Sequence, residues 1–181
     1  MFFYLKIEML KTLLFVLIVQ LQFIGICQDK SVFDISRSGS LTEIKTLVLN
    51  NEDAINTADE SGYYPLTLAC YHGNKEVAIY LINNVTDVNV NVSYGTPLIA
   101  SVFKGHLDLV NKLLKVGANP NIADVNGSTS LHFAVMLGNL DIVKSLLDHN
   151  ADINLLDNKK RKPIDYAVIA GNKDIIKLLN K

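Results

Sequence analysis

An all-α solenoid of stacked helical hairpins is the fold this sequence predicts, and three observations predict it. The run GHLDLVNKLLKVGANPN, from Gly105 to Asn121, returns as GNLDIVKSLLDHNADIN from Gly138 and as GNKEVAIYLINNVTDVN from Gly73. Glycines stand in register at Gly39, Gly73, Gly105, Gly138 and Gly171, every 32 to 34 residues, a period that belongs to stacked units rather than to one globular nucleus. Between the glycines, apolar residues recur at helical spacing in segments too short to persist alone, so each segment needs a neighbour. A stack of this kind offers a surface rather than an enclosed catalytic pocket.

Each unit divides into a turn, a first helix, a glycine, a second helix and a polar loop. In the fourth unit Asp124, Asn126 and Gly127 make the turn, since Asn and Gly tolerate positive φ, and Thr129 caps a helix carrying Leu131, Ala134 and Val135. Neighbouring units place Pro65, Pro97 and Pro163 just after the cap, where a first-turn residue needs no amide hydrogen. The recurring glycine ends the first helix by taking the left-handed conformation, and Asn74, Asn139 or Asn172 after it can cap the second; His106 holds that place in the third unit. Second helices carry the core rows Val77, Ala78, Leu81 and Ile82; Leu109, Val110, Leu113 and Leu114; Ile142, Val143, Leu146 and Leu147; and Ile175, Ile176, Leu178 and Leu179. The small residues Ala69, Ser101, Ala134 and Ala167 mark where first helices approach closely.

The units run over about 28–58, 59–90, 91–123, 124–156 and 157–181, behind an N-terminal segment of a different character. Leu13 to Ile26 is nearly all apolar, Lys11 precedes it, and Gly25 and Cys27 are small residues ahead of a cut after Cys27, which reads residues 1–27 as a secretory signal peptide. The head MFFYLKIE suits a signal poorly, whereas Met9 opens MLKTLLFVLIV, so Met9 is the expected start. A retained membrane anchor is the alternative, but a span needs roughly 20 apolar residues and Gln20 and Gln22 interrupt this one. Lipidation at Cys27 is disfavoured by Ile26 immediately before it. Export to the periplasm or the extracellular space follows, with a bacterial envelope the expected setting.

Cleavage would remove Lys6, Lys11 and Glu8 from a chain with 17 basic and 18 acidic residues, leaving no basic excess to favour nucleic acid. Only Cys70 would remain, so no internal disulfide can form and stability rests on packing. A monomer is expected.

The pattern Asp124, Gly127, Thr129, Leu131, His132, Ala134, Gly138, Ile142, Val143, Leu146, Leu147, Ala151, Asp152 and Asn154 resembles the ankyrin repeat, and the resemblance covers about residues 32 to 181. It departs at Tyr94, which takes the usual turn-glycine position, at Ser130, which replaces proline, and in the first unit, which lacks the turn motif and carries Glu43 in an apolar row. Both end units read as polar caps. What the resemblance implies is recognition of a protein partner through the turn tips and the exposed side of the first helices.

No chemistry competes with that reading. The sequence holds no phosphate-binding glycine loop and no histidine pair at metal-ligand spacing, so no catalytic residue, metal or cofactor is expected. His106 and His132 fall where the resemblance implies structural hydrogen bonds, and His72 and His149 stand alone on the surface. Ser130 and His132 occupy cap and turn positions rather than a triad, and Cys70 sits at a core position as an inert thiol. Asn84, Asn91 and Asn126 begin Asn-x-Ser/Thr sequences, a glycosylation signal in a host that secretes through an endoplasmic reticulum and otherwise ordinary loop composition.

Carried over by register, the candidate binding residues are Tyr63 at a turn tip; Tyr71, His72, Phe103, Lys104, Met136, Leu137 and Ile169 just before the glycines; and Lys159 and Arg161 in the last turn. Tyr71, Phe103, Met136 and Ile169 form an apolar row where solvent is expected, with aromatics and Met as interface centres favour. The groove is expected to centre on Tyr71 and Phe103, with Lys104 and the cluster Lys159 to Lys162 at its rim.

Overall fold

A computed structural model describes residues 30–91 and 95–180. The segment 1–27, its cleavage site, the start at Met9 and the turn residue Tyr94 lie outside the described residues. The chain divides at Lys30, and Ser31–Lys181 forms one compact unit. Its ten described α-helices are α1 (Val32–Ser38), α2 (Leu41–Asn50), α3 (Pro65–His72), α4 (Lys75–Asn84), α5 (Pro97–Phe103), α6 (Leu107–Lys115), α7 (Ser130–Met136), α8 (Leu140–Asp148), α9 (Pro163–Ala170) and α10 (Lys173–Leu179), with a 3₁₀ turn at Glu52–Asn56. Among the described residues none is long and apolar enough to cross a membrane.

None of these helices exceeds ten residues, below the roughly 12–15 at which an isolated helix becomes marginally stable. Stacking supplies the rest. Odd-numbered helices pack on one another in series, as do the even-numbered helices behind them. Leu66, Leu98 and Leu131 are buried on the first helices, and Leu81, Leu113, Leu146 and Leu179 on the second. Ala69, Ser101, Ala134 and Ala167 are fully buried, as close approach of the first helices requires.

Proline opens α3, α5 and α9 as expected. Asn139 and Asn172 accept the amides of Ile142 and Ile175 at 3.1 Å and so cap α8 and α10. The cap reading fails at Asn74, whose side chain instead reaches back to donate to the carbonyls of Ile35 (3.1 Å) and Gly39 (2.9 Å) in the preceding unit. His106 makes no side-chain cap either. In the first unit Glu43 is explained by a capping box with Ser40, which an apolar residue could not make.

Three further expectations are corrected. Gly39 is extended (φ −82°, ψ 178°), not left-handed, whereas Gly73 is left-handed (φ 70°) and a Cβ there would lie 2.6 Å from the His106 ring. In the last unit the buried row continues through Leu179 while Leu178 is half-buried, because Leu178 stands one position off the register of Leu81, Leu113 and Leu146. Asn180 takes the place of Leu114 and Leu147, a polar ending for α10. Helix α9 does not match a polar cap: Val168 is 59% exposed although the corresponding Cys70, Val102 and Val135 are buried, and Ile169 is 69% exposed on the row of Tyr71, Phe103 and Met136.

Polar groups also tie the units together. Asn56 Oδ1 accepts the Thr86 amide (2.9 Å), Asn89 Oδ1 the Asn119 amide (2.8 Å) and Asn121 Oδ1 the Asp152 amide (2.8 Å). This asparagine ladder gives the polar loops a repeat-to-repeat register of their own. His132 is fully buried; its Nδ1 accepts the Thr129 amide (3.2 Å), which fixes the proton on Nε2, 3.1 Å from the Arg161 carbonyl of the next unit. That is the structural bonding expected of His132. His106 differs, because its buried Nε2 has no hydrogen-bond partner among the described residues.

In the last turn the buried Asp157 accepts the amides of Lys159 (2.8 Å) and Arg161 (3.0 Å) and the Tyr166 hydroxyl. Burial pushes its carboxyl up, but these hydrogen bonds outweigh burial and hold it below the usual carboxylate value; the Tyr166 hydroxyl is pushed up in turn. In acid the unfolded chain therefore takes up this proton first. The stabilisation is complete above the ordinary carboxylate range, near pH 4, and is lost as pH falls through the lower folded value. Asp157→Asn is expected to flatten the acid side of the stability profile, read from urea unfolding at about pH 2 to 5. An unchanged slope would place the acid sensitivity elsewhere.

Candidate functional site

A groove of about 710 Å³ opens between the first helices and the turn tips, and Tyr63, Tyr71, His72 and Phe103 all line it. Its floor follows from helical spacing. Leu68, Ala100 and Phe133 stand three residues before Tyr71, Phe103 and Met136, on the same helix face. Ala100 is small where its neighbours are Leu68 and Phe133, so a depression forms between them; Ile99 and Thr67 complete the floor. Tyr71 and Phe103 are 41% and 46% exposed, so these rings are not swallowed by the core.

The rings are ordered against one another. Tyr71 and Phe103 stack with centroids 6.4 Å apart and planes 12° from parallel, and Phe133 meets Phe103 edge-on at 6.0 Å. His72 contacts the Tyr71 ring edge at 5.3 Å. Lys104 Nζ sits 4.8 Å from the Tyr71 centroid, a cation–π contact that brings a charge to the groove without lining it. Pre-ordered aromatic surface of this kind loses little conformational entropy when a partner docks.

The opposite wall is a turn, formed by Asp124, Val125 and Asn126. Asp124 Oδ1 accepts the amides of Asn126 (2.9 Å) and Ser128 (2.8 Å), and Oδ2 accepts from the Asn126 side chain (3.1 Å). The carboxylate thus holds the turn closed. The next turn docks directly on this one: the Asn158 amide donates to the Asn126 carbonyl (2.9 Å) and its side-chain amide to that of Val125 (3.0 Å). Gly127 permits the approach, since a Cβ there would stand 2.8 Å from Asn158 Oδ1. Lys159 to Lys162 therefore continue from the groove wall.

Other expected site residues fall outside the groove. Met136, Leu137 and Ile169 are exposed on later first helices without lining it. Arg161 is half-buried, its guanidinium 5.5 Å from the Tyr166 centroid, and Lys159 is exposed in the same turn. Phe133, Leu68, Ile99 and Thr67 were not among the expected residues. The signal for Leu68 and Phe133 was available in the three-residue offset from the Tyr71 row, and that for Thr67 and Ile99 in the four-residue offset, whereas the space at Ala100 depends on side-chain packing. Arg37 also lines the groove and meets Asp34 and Asp59 at 3.4 and 3.5 Å.

Cys70 is fully buried and its thiol is pushed up to about 12 by burial, opposed by a hydrogen bond with Ser101, so it stays protonated and unreactive. Among the described residues no cluster of His, Cys, Asp and Glu could hold a metal ion.

A stack of helical hairpins carrying an ordered aromatic groove beside its turn tips defines a repeat-built recognition scaffold. The chain belongs to the ankyrin-repeat family: the family model for ankyrin repeats (3 copies) matches residues 33–124 and 99–181. Ankyrin repeats are protein–protein interaction modules, and the fold is generally non-catalytic. The chain is similar to Ankyrin repeat and KH domain-containing protein 1 of Homo sapiens, 40% identical over 75 residues, which cover 41% of this chain and 3% of that protein. It is 33% identical over 97 residues to the 26S proteasome non-ATPase regulatory subunit 10 of Dictyostelium discoideum, covering 52% of this chain and 42% of that one. It is also 30% identical over 99 residues to the E3 ubiquitin-protein ligase KEG of Arabidopsis thaliana, 53% of this chain against 6% of the ligase, and only repeats are matched. The chain thus spans less than half of each relative.

Proposed function

We propose that this chain is an exported, non-catalytic module that holds a protein partner in the groove between its first helices and turn tips. The observation that carries this reading is the half-exposed, mutually ordered pair Tyr71 and Phe103 on a surface the fold does not need to bury. Large aromatic side chains held in place at a concave surface are what interface centres use. Three of the four groove-lining residues expected from sequence are also aromatic, Tyr63 with Tyr71 and Phe103.

Export rests on the apolar run Leu13 to Ile26 and the small residues around Cys27, and places the module in the periplasm or the extracellular space, as a monomer with neither nucleic acid nor membrane among its ligands. Retention of that run would make it a membrane-tethered scaffold instead. Mass spectrometry of the protein from its native host is expected to find a mature N-terminus at Gln28. A mass that includes residues 1–27 would favour the tethered form. An affinity pull-down with the wild-type chain, compared with one using Tyr71→Ala plus Phe103→Ala, tests the binding reading.

A further inference from the structure

We infer that the partner segment fitting this groove is an acidic peptide with one bulky apolar anchor, an inference that rests on the groove being the binding surface. The floor asks for the anchor. Leu68, Ala100, Phe103 and Phe133 offer no charge, and their depression sits against the ordered Tyr71 ring.

Charge complementarity sets the rest of the partner. Lys104 reaches Tyr71 on the helix side, and among the described residues it has no carboxylate within ion-pair distance. On the turn side Asn158 fastens the Lys159–Lys162 turn to Val125 and Asn126, and Lys159 and Lys160 are exposed and likewise without an ion pair. Lys160 is held at φ 60°, a left-handed conformation that lysine seldom adopts, so its position is imposed by the turn. Among the described residues the one carboxylate lining the groove is Asp124, and both its oxygens already accept hydrogen bonds within their own turn. Among the described residues, cations thus flank an apolar floor with no free carboxylate lining it to neutralise them or to repel a visitor's acidic residues.

An acidic segment lying with its anchor against Phe103 and its carboxylates towards Lys159 and Lys160 satisfies all of these groups at once. Exposed charges act mainly on encounter and register, so their share of the affinity should fade with salt. A nucleic acid strand could use the same cations and stack on the same rings, and is separated by experiment.

The test is selection from a phage-displayed library of random 15-residue peptides on the full chain, with counter-selection on the Tyr71→Ala, Phe103→Ala variant. Enriched peptides are expected to combine an aromatic or large aliphatic residue with an excess of Asp and Glu. Lys159→Glu with Lys160→Glu is expected to weaken the selected peptides about 10-fold or more at low salt, an effect shrinking at 0.5 M salt. Enrichment of neutral or basic peptides that still depend on Phe103 would overturn the charge inference and leave the groove reading standing. No enrichment over the counter-selected variant would overturn both. A fluorescein-labelled 15-nucleotide oligouridylate that bound more tightly than any peptide would assign the cations to nucleic acid instead.

Discussion

Leu146→Ala is expected to lower the free energy of unfolding by about 2–5 kcal/mol. The side chain is fully buried in α8, on the row that runs from Leu113 in the unit before to Leu179 in the unit after. Removing it takes away burial and leaves a cavity that rigid neighbours only partly fill. In a globular protein that loss would be shared by one nucleus. Here it falls on two interfaces, because each unit is held only by its neighbours. The midpoint of urea unfolding, followed by far-ultraviolet circular dichroism, should drop, and amide exchange should quicken in both α6 and α10. An unchanged midpoint, or exchange that quickens in α8 alone, would contradict mutual support between units.

What made this residue identifiable beforehand was periodicity. Four second helices repeat the same apolar offsets from a glycine, so Leu146 could be placed in the core without coordinates. The first helices were legible for a different reason: proline at the first position and a small residue four places later constrain backbone and packing in the same register. Local chemistry was less transferable. Asn74, Asn139 and Asn172 are equivalent by position, yet Asn74 abandons its own helix for the carbonyls of Ile35 and Gly39. There the backbone at Gly39 is extended, and the Ile35 carbonyl takes the Asn74 side chain in addition to the Gly39 amide.

The groove was legible at its rim and not at its floor. Tyr71 and Phe103 were visible because bulky apolar residues stood where the register demands exposure. The depression is the difference in volume between Ala100 and its neighbours Leu68 and Phe133, and each of these taken alone reads as an ordinary helix residue. Lys104 shows the same limit in another form. Its place just before Gly105 put it near the rim, but its seat over the Tyr71 ring crosses from one unit to the next and depends on the rotamers of both side chains.

Tyr71→Ala combined with Phe103→Ala is expected to reduce binding of a protein partner or selected peptide by about 2–4 kcal/mol, roughly 30- to 1000-fold. The two rings are half exposed and touch each other, so their removal exposes Leu68 and Ala100 without opening the buried rows behind them. The thermal midpoint should therefore shift by only a few degrees, the cost of about 1 kcal/mol of ring stacking. The contrast with Leu146→Ala is what gives the pair its force. One variant should damage the stack and spare the chemistry of the groove in whatever fraction stays folded; the other should do the reverse. If the double variant instead melts as Leu146→Ala does, Tyr71 and Phe103 belong to the folding core, and the surface that recognises a partner lies elsewhere on the stack.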